Sequence, residues 1–177
     1  MSNHDKESIN DQIEFFTQIY DKYIPDLYRI AKSRLLIEDD IYDAIQETGY
    51  KLYINANKIK DKNKIKIWLI KVLINECNKI YKNKKKEQKL QEKIIVNQNK
   101  EMKLDRDDNL DFEILINKLK LEDRTILALY YASNLTTKEI AKILKKNENT
   151  IRSKINSAKD FIRANLKESE VKVNGKS

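Results

Sequence analysis

Two glycines, Gly49 and Gly175, and one proline, Pro25, are all the backbone punctuation in this 177-residue chain. Glycine opens left-handed turns and proline ends helices, so a chain so poor in both is a bad candidate for a multi-turn β architecture. Long helices are favoured instead. The apolar residues agree, because they recur at spacings of three and four and not in strict alternation. The expected fold is all-α. A chain of this length makes one medium domain or two small ones.

The stretch 136–163, TTKEIAKILKKNENTIRSKINSAKDFIR, carries the most information. Thr136 followed by Glu139 is a capping box, in which the hydroxyl accepts from the Glu139 amide while the carboxylate reaches back. Ile140, Ala141, Ile143 and Leu144 form an apolar stripe, with Ala141 small enough for a second helix to cross close by. Lys145-Lys146-Asn147 breaks that stripe, and Asn147 can cap the helix that follows. Ile151, Ile155, Ala158 and Ile162 give the second helix its buried face. Its other face offers Asn149, Thr150, Arg152, Ser153, Asn156 and Lys159, with Lys154 next in line. This is the layout of a helix-turn-helix, whose second helix enters the DNA major groove. The plainer alternative is a surface helical hairpin with a solvated charged face.

The net charge of +8 is unevenly spread. Residues 1–57 hold six bases against eleven acids, and residues 58–89 hold twelve against three. Residues 90–135 return to seven against nine, and residues 136–177 have eleven against five. Nucleotide bias in the genome explains abundant lysine but not two separated basic blocks. Two such blocks suggest two nucleic-acid contacts, each drawing affinity from neutralised phosphates.

Several function classes are disfavoured. The single Cys77 cannot form an internal disulfide, and with the one histidine, His4, it makes no credible zinc site. Cys77 lies in an apolar helical pattern, as a structural thiol would. There is no glycine-rich phosphate loop, metal cluster or nucleophile–base pair, so no enzyme, cofactor or metal is expected. No apolar run approaches 18 residues and the N-terminus is polar, so neither membrane insertion nor a signal peptide is expected and the cytoplasm is the expected compartment.

The chain divides into a helical region at 11–82, a linker at 83–109 and a second helical domain at 110–166, followed by a frayed tail. In the first region Phe16, Ile19, Tyr20, Tyr23, Ile24, Leu27, Ile30 and Ala31 share one helix face, which Pro25 bends or interrupts. A second helix starts at Glu38-Asp39-Asp40, acids suited to a helix N-terminus, and continues through Ile41, Ala44, Ile45, Thr48 and Leu52. Asn55–Lys64 reads as a polar loop. A third helix packs Ile65, Trp68, Leu69, Val72, Leu73 and Ile80 inward. Trp68 reads as core on that spacing, with a base-stacking platform as the alternative. The linker is charge-rich, with an apolar island at Ile94-Ile95-Val96, and is expected to be flexible. The last domain begins near Leu110, with Phe112, Leu115, Ile116 and Leu119 on one helix. Ile126, Leu129 and Tyr130 lie on the next, which leads into the helix-turn-helix.

Two helical domains of this kind resemble the extracytoplasmic-function group of bacterial RNA polymerase sigma factors. Asp43-Ala44-Ile45-Gln46-Glu47 is similar to that family's acidic D-L-V-Q-E stretch. Residues 65–75, IKIWLIKVLIN, are similar to its F-R-x-W-L-x-x-I-A-x-N helix. Leu119 to Arg124 resembles its L-P-x-x-x-R opening, with Lys120 in place of the proline. Thr137-Lys138-Glu139-Ile140-Ala141 and Thr150-Ile151-Arg152-Ser153-Lys154 match Y-x-E-I-A and T-V-R/K-S-R. The likeness covers about residues 12–166. Lys145 departs from it, standing where the family usually has a turn glycine.

The resemblance implies a protein that lends promoter specificity to core RNA polymerase and has no chemistry of its own. Asp43, Gln46 and Glu47 would dock on the polymerase clamp helices. A basic partner would explain an acidic face on a basic chain, although a solvated helix N-terminus explains it equally well. Asn55, Asn57, Lys58, Lys60, Lys62, Asn63 and Lys64 would handle the minus-ten element. Lys71, Asn75, Asn78, Lys79 and Lys82 would line DNA along the next helix. The helix from Glu148 to Ile162 would read the minus-thirty-five element. Arg152 would be its guanine reader, Asn149, Thr150, Ser153, Lys154 and Asn156 further contacts, and Lys138, Lys142 and Lys159 phosphate contacts. Partners implied are core polymerase, promoter DNA and the anti-sigma protein the family often has. The rival reading is a helix-turn-helix regulator that binds an operator alone. A protein-interaction adaptor is a second rival.

Overall fold

A computed structural model of the chain describes residues 3–55, 58–59, 61, 64–92 and 115–174. Among them every regular element is helical, in two compact units, Met1–Ile94 and Ile95–Ser177.

The first unit is three helices, α1 (Asn3–Lys32), α2 (Glu38–Asn55) and α3 (Ile65–Glu92). Their core joins Leu27, Ile30 and Ala31 of α1 to Ile41, Ala44, Ile45 and Leu52 of α2 and to Ile65, Leu69, Ile70, Leu73 and Cys77 of α3. Burying a leucine or isoleucine side chain contributes about 1.5–3 kcal/mol. Surface pairs contribute about 0–1 kcal/mol each, so this core is what sets the packing. Gly49 marks the close approach of α1 and α2, because a Cβ there would lie 2.7 Å from Cε2 of Tyr20.

The unit differs from the sequence expectation in four places. The helix α1 begins at Asn3 and runs through Pro25 uninterrupted. Pro25 and Asp21 are both exposed, so water can serve the carbonyl that proline leaves without an amide donor. Ile24 is 36% exposed, and Phe16, Ile19, Tyr20 and Tyr23 are only half-buried. On α3 the buried line is 65, 69, 70, 73, 74 and 77, which leaves Trp68, Val72 and Ile80 half-buried. The expected stripe was centred slightly off the true one. Finally, α3 continues through Glu92 and does not stop at Lys82. Lys, Gln and Glu are good helix formers, and Lys84 is drawn back to Asp40 of α2 at 2.6 Å.

The second unit holds a helical turn at 115–118, then α4 (Leu121–Leu127), α5 (Thr137–Leu144) and α6 (Glu148–Asn174). The end of α4 widens into a π-helical turn over Ala128–Ala132. Leu115, Ile126, Leu127, Leu129, Leu135, Ile140, Ala141, Ile143, Ile151, Ile155 and Ala158 make its core. Lys120, standing where the resemblance would place proline, already has φ −59°, the angle proline would impose. The backbone of α6 is helical through Asn174, beyond the tail boundary expected at 166.

Candidate nucleic-acid interface

The hairpin of α5 and α6 is held by short-range chemistry at each end. Thr136 Oγ1 accepts from the Glu139 amide at 3.3 Å, and Glu139 Oε2 accepts from the Thr136 amide at 2.9 Å. At the other end Lys145 takes the left-handed conformation, φ 54° and ψ 47°. That lets the Lys146 amide donate to the Ala141 carbonyl at 2.9 Å, the six-to-one bond that closes a helix C-terminus. Asn147 Oδ1 then accepts from the Asn149 amide at 2.8 Å and starts α6. The turn has the geometry a glycine usually supplies, made here with lysine.

On α6 the side chains of Asn149, Thr150, Arg152, Ser153 and Asn156 are exposed, and so are Lys138 and Lys142 on α5. Two expected contacts are occupied. Lys154 is half-buried, donating to Asp123 at 2.7 Å and reaching Glu122 at 3.2 Å. Hydrogen bonding to Asp123 outweighs the cost of burial and pushes the Lys154 ammonium up from its ordinary range. Lys154 therefore ties α6 to α4. Lys159 is also half-buried, with its ammonium 5.5 Å from the ring centres of both Tyr130 and Tyr131 in the π-helical turn. Lys146 pairs with Glu122 at 2.7 Å. Arg152 is 64% exposed but donates to Glu148 Oε1 at 2.9 Å, and that oxygen also accepts from Thr137 Oγ1 at 2.7 Å.

In the first unit, Asp43, Gln46 and Glu47 are exposed on α2. Beside Gln46 lies an open groove of about 600 Å³ between α1 and α2, lined mainly by aromatic and apolar side chains including Tyr20, Ile24, Tyr28 and Tyr42. On α3, Lys71, Asn75, Lys79 and Lys82 are exposed, and their spacings of four, four and three set them along one face. Asn78 is drawn inward, accepting from Arg34 Nη2 at 2.7 Å. Asn55 is half-buried and donates to the Lys51 carbonyl at 2.9 Å. Lys58 and Lys64 are exposed, the latter 3.0 Å from Asp61. Asn57, Lys60, Lys62 and Asn63 lie outside the described residues.

One participant went unnoticed in the sequence. Glu76 is 5% exposed on the inner side of α3, hydrogen-bonded to Lys51 of α2 and to Lys79 at 3.0 Å. Burial pushes its carboxyl up, but the two lysines outweigh burial and hold it below the usual carboxylate range. The signal was available: an acid between Leu73 and Cys77 on a buried stripe demands a base.

Among the described residues no group of His, Cys, Asp and Glu could hold a metal ion, and no helix is long and apolar enough to cross a membrane.

Comparison with known proteins accounts for both units. Sigma-70 region 2 matches residues 19–87, and sigma-70 region 4 matches residues 111–162. The RNA polymerase sigma factor SigV of Bacillus subtilis (strain 168) is 27% identical over 143 residues, which span 80% of this chain and 84% of that protein. Two solved structures share the fold. The sigma factor RpoE in complex with the anti-sigma factor NepR, from Bartonella quintana, superposes with a TM-score of 0.71 at 23% identity. It covers 86% of this chain and 96% of that one. CnrH in complex with the cytosolic domain of CnrY gives 0.62 at 17% identity, covering 86% and 88%. With region 2 and region 4 in that order, the chain belongs to the sigma-70 family, as an alternative sigma factor of the extracytoplasmic-function group.

Proposed function

We propose that this sigma factor divides its work among three surfaces. The exposed face of α2, with Asp43, Gln46 and Glu47, docks on core RNA polymerase. Acid beside an aromatic groove suits a protein partner with basic and apolar groups, and repels DNA. The face of α3 bearing Lys71, Asn75, Lys79 and Lys82 follows the minus-ten strand. Such a helix presents one polar group roughly every 6 Å, which suits contact along a phosphate backbone. Moving a base out of the stack costs a few kcal/mol, which asparagine amides and lysine–phosphate contacts offset in part. The Asn55–Lys64 loop joins this work through Lys58 and Lys64 and through the residues outside the described set.

The α6 helix reads the minus-thirty-five element as duplex. Arg152 contacts guanine O6 and N7, a pairing that discriminates by about 1–3 kcal/mol. Asn149, Thr150, Ser153 and Asn156 are further base-edge or phosphate contacts, while Lys138 and Lys142 position the helix on phosphates. Lys154, Lys159 and Asn78 serve the fold in preference to DNA. Nucleotidyl transfer belongs to the polymerase, so the chain itself catalyses nothing, and it works in the cytoplasm with the chromosome.

The observation that carries this reading is the exposed polar face of α6, borne on a helix-turn-helix whose inner face is apolar. Run-off transcription on native genomic fragments, with core polymerase and with or without the chain, tests it. Initiation should require the chain, and Arg152→Ala should weaken it at cognate promoters while leaving polymerase binding intact. Specific binding of the isolated chain to duplex DNA at physiological salt, without any transcription, would overturn the reading in favour of an operator-binding regulator.

A further inference from the structure

Arg152 is not an unrestrained surface arginine. Its Nη2 donates to Glu148 one turn earlier, at 2.9 Å. An i, i+4 pair of this kind is ordinarily a weak, mobile contact. Here the acid is itself anchored, because the same Oε1 accepts from Thr137 Oγ1 of α5 at 2.7 Å. The Thr137 hydrogen bond, and after it Arg152, hold the Glu148 carboxyl below its usual range. The result is a chain of contacts from α5 through Glu148 to the guanidinium, crossing the turn of the motif.

We infer that Glu148 is a positioning and specificity-determining residue for promoter reading, holding Arg152 toward a base edge through its anchor on Thr137. The inference rests on Arg152 being a base reader. A guanidinium has five N–H donors, and one is spent on Glu148, so four remain, of which O6 and N7 of a guanine need two. A free arginine on this helix would reach neighbouring phosphates as readily as a base, gaining affinity without discrimination. The carboxylate penalises that alternative twice: it restrains the side chain, and its negative charge at the start of α6 repels phosphate. It thus trades affinity for specificity. Thr137 is what separates this from a generic capping acid, since a helix start needs no hydrogen bond from the preceding helix.

The test uses the full chain with core polymerase and a promoter library. The minus-thirty-five base pairs are randomised upstream of a fixed minus-ten element, taken from a genomic fragment active in run-off transcription, and transcripts are sequenced. The wild type should prefer guanine at one position by roughly 5–150-fold, and Arg152→Ala should abolish that preference. Glu148→Gln, which keeps the shape and removes the charge, should reduce the same preference by about two- to fivefold and steepen the salt dependence of promoter binding. Thr137→Val should reduce it in the same direction with Glu148 intact. Base preference is a ratio between sequences read by one variant. A modest fall in the thermal midpoint of Glu148→Gln, expected from its lost charge at the start of α6, therefore does not move it, which separates positioning from folding. If Arg152→Ala erases the preference while Glu148→Gln leaves it whole, the inference about Glu148 fails alone. Should Arg152→Ala change no base preference, the reading of Arg152 falls, and the inference with it. Higher output from Glu148→Gln at every sequence, with unchanged ratios, would make Glu148 a mere competitor for Arg152 and also overturn it.

Discussion

Replacing Lys145 by glycine should stabilise the region-4 unit. Lys145 sits at φ 54°, ψ 47°, where a Cβ crowds the following carbonyl at a cost of about 1–2 kcal/mol. Glycine escapes that crowding but loses more freedom on folding, by roughly 0.5–1 kcal/mol. The net expectation is a gain of about 0.5–1 kcal/mol. Nothing else is lost, because Lys145 is exposed and its amide still donates to the Ala141 carbonyl. For a unit the size of Ile95–Ser177, that gain corresponds to a rise of about 2–8 °C in midpoint. The sole tryptophan, Trp68, lies in the other unit. Tryptophan fluorescence therefore follows region 2, while hydrogen exchange of the α5 and α6 amides follows region 4. Lys145→Gly should slow exchange in α5 and α6 and leave the fluorescence transition unmoved. Lys145→Ala is the control, since it removes the same charge and keeps the Cβ, and it should stay within a few tenths of a kcal/mol of wild type. If glycine and alanine behave alike, the turn carries no left-handed cost and the reasoning is wrong.

Further expectations concern the region-2 core. The folded-state pKa of Glu76 is depressed, so its stabilising contribution is full above the unfolded glutamate value, about 4.3, and is lost as pH falls through the lower folded value. Acid unfolding followed by Trp68 fluorescence should therefore lose part of its pH dependence in Glu76→Gln, and an unchanged acid transition would dismiss the Lys51–Glu76–Lys79 cluster as a stabilising element. Cys77 is buried, and burial pushes its thiol up to about 11. The native protein at pH 8 should resist a thiol-reactive dye and label only on unfolding; rapid native labelling would contradict a packed α3 core.

Much of the region-4 hairpin was legible in the sequence because its signals are local. A capping box needs residues three apart, and the Asn147 cap two, so Thr136, Glu139, Asn147 and Asn149 carry them whatever the rest of the chain does. Helical periodicity likewise made the apolar residues of α2 readable, since Ile41, Ala44, Ile45 and Leu52 are all buried. The pattern was weaker on α3, where apolar residues nearly encircle the first turns. Spacing alone did not distinguish Trp68, half-buried, from Ile70, fully buried. Ends of helices were the least legible: α3 passes Lys82 and α6 passes Leu166 through sequences whose charge density resembles a linker and whose propensities are helical.

By itself the sequence determined that this chain is helical, that its second half holds a helix-turn-helix, and which residues could carry charge to DNA. Those properties depend on neighbours along one helix. Only the tertiary structure decided which polar groups are still exposed for a partner. Lys154 is claimed by Asp123 and Asn78 by Arg34, while Lys79 pairs with Glu76 and is still exposed, and Arg152 is exposed but steered by an acid that α5 anchors. The first two pairings join residues 31 and 44 positions apart, and hydrogen bonding requires atoms within about 3 Å. Periodicity can say which face a residue shares. It cannot say which side chain from another helix will meet it there.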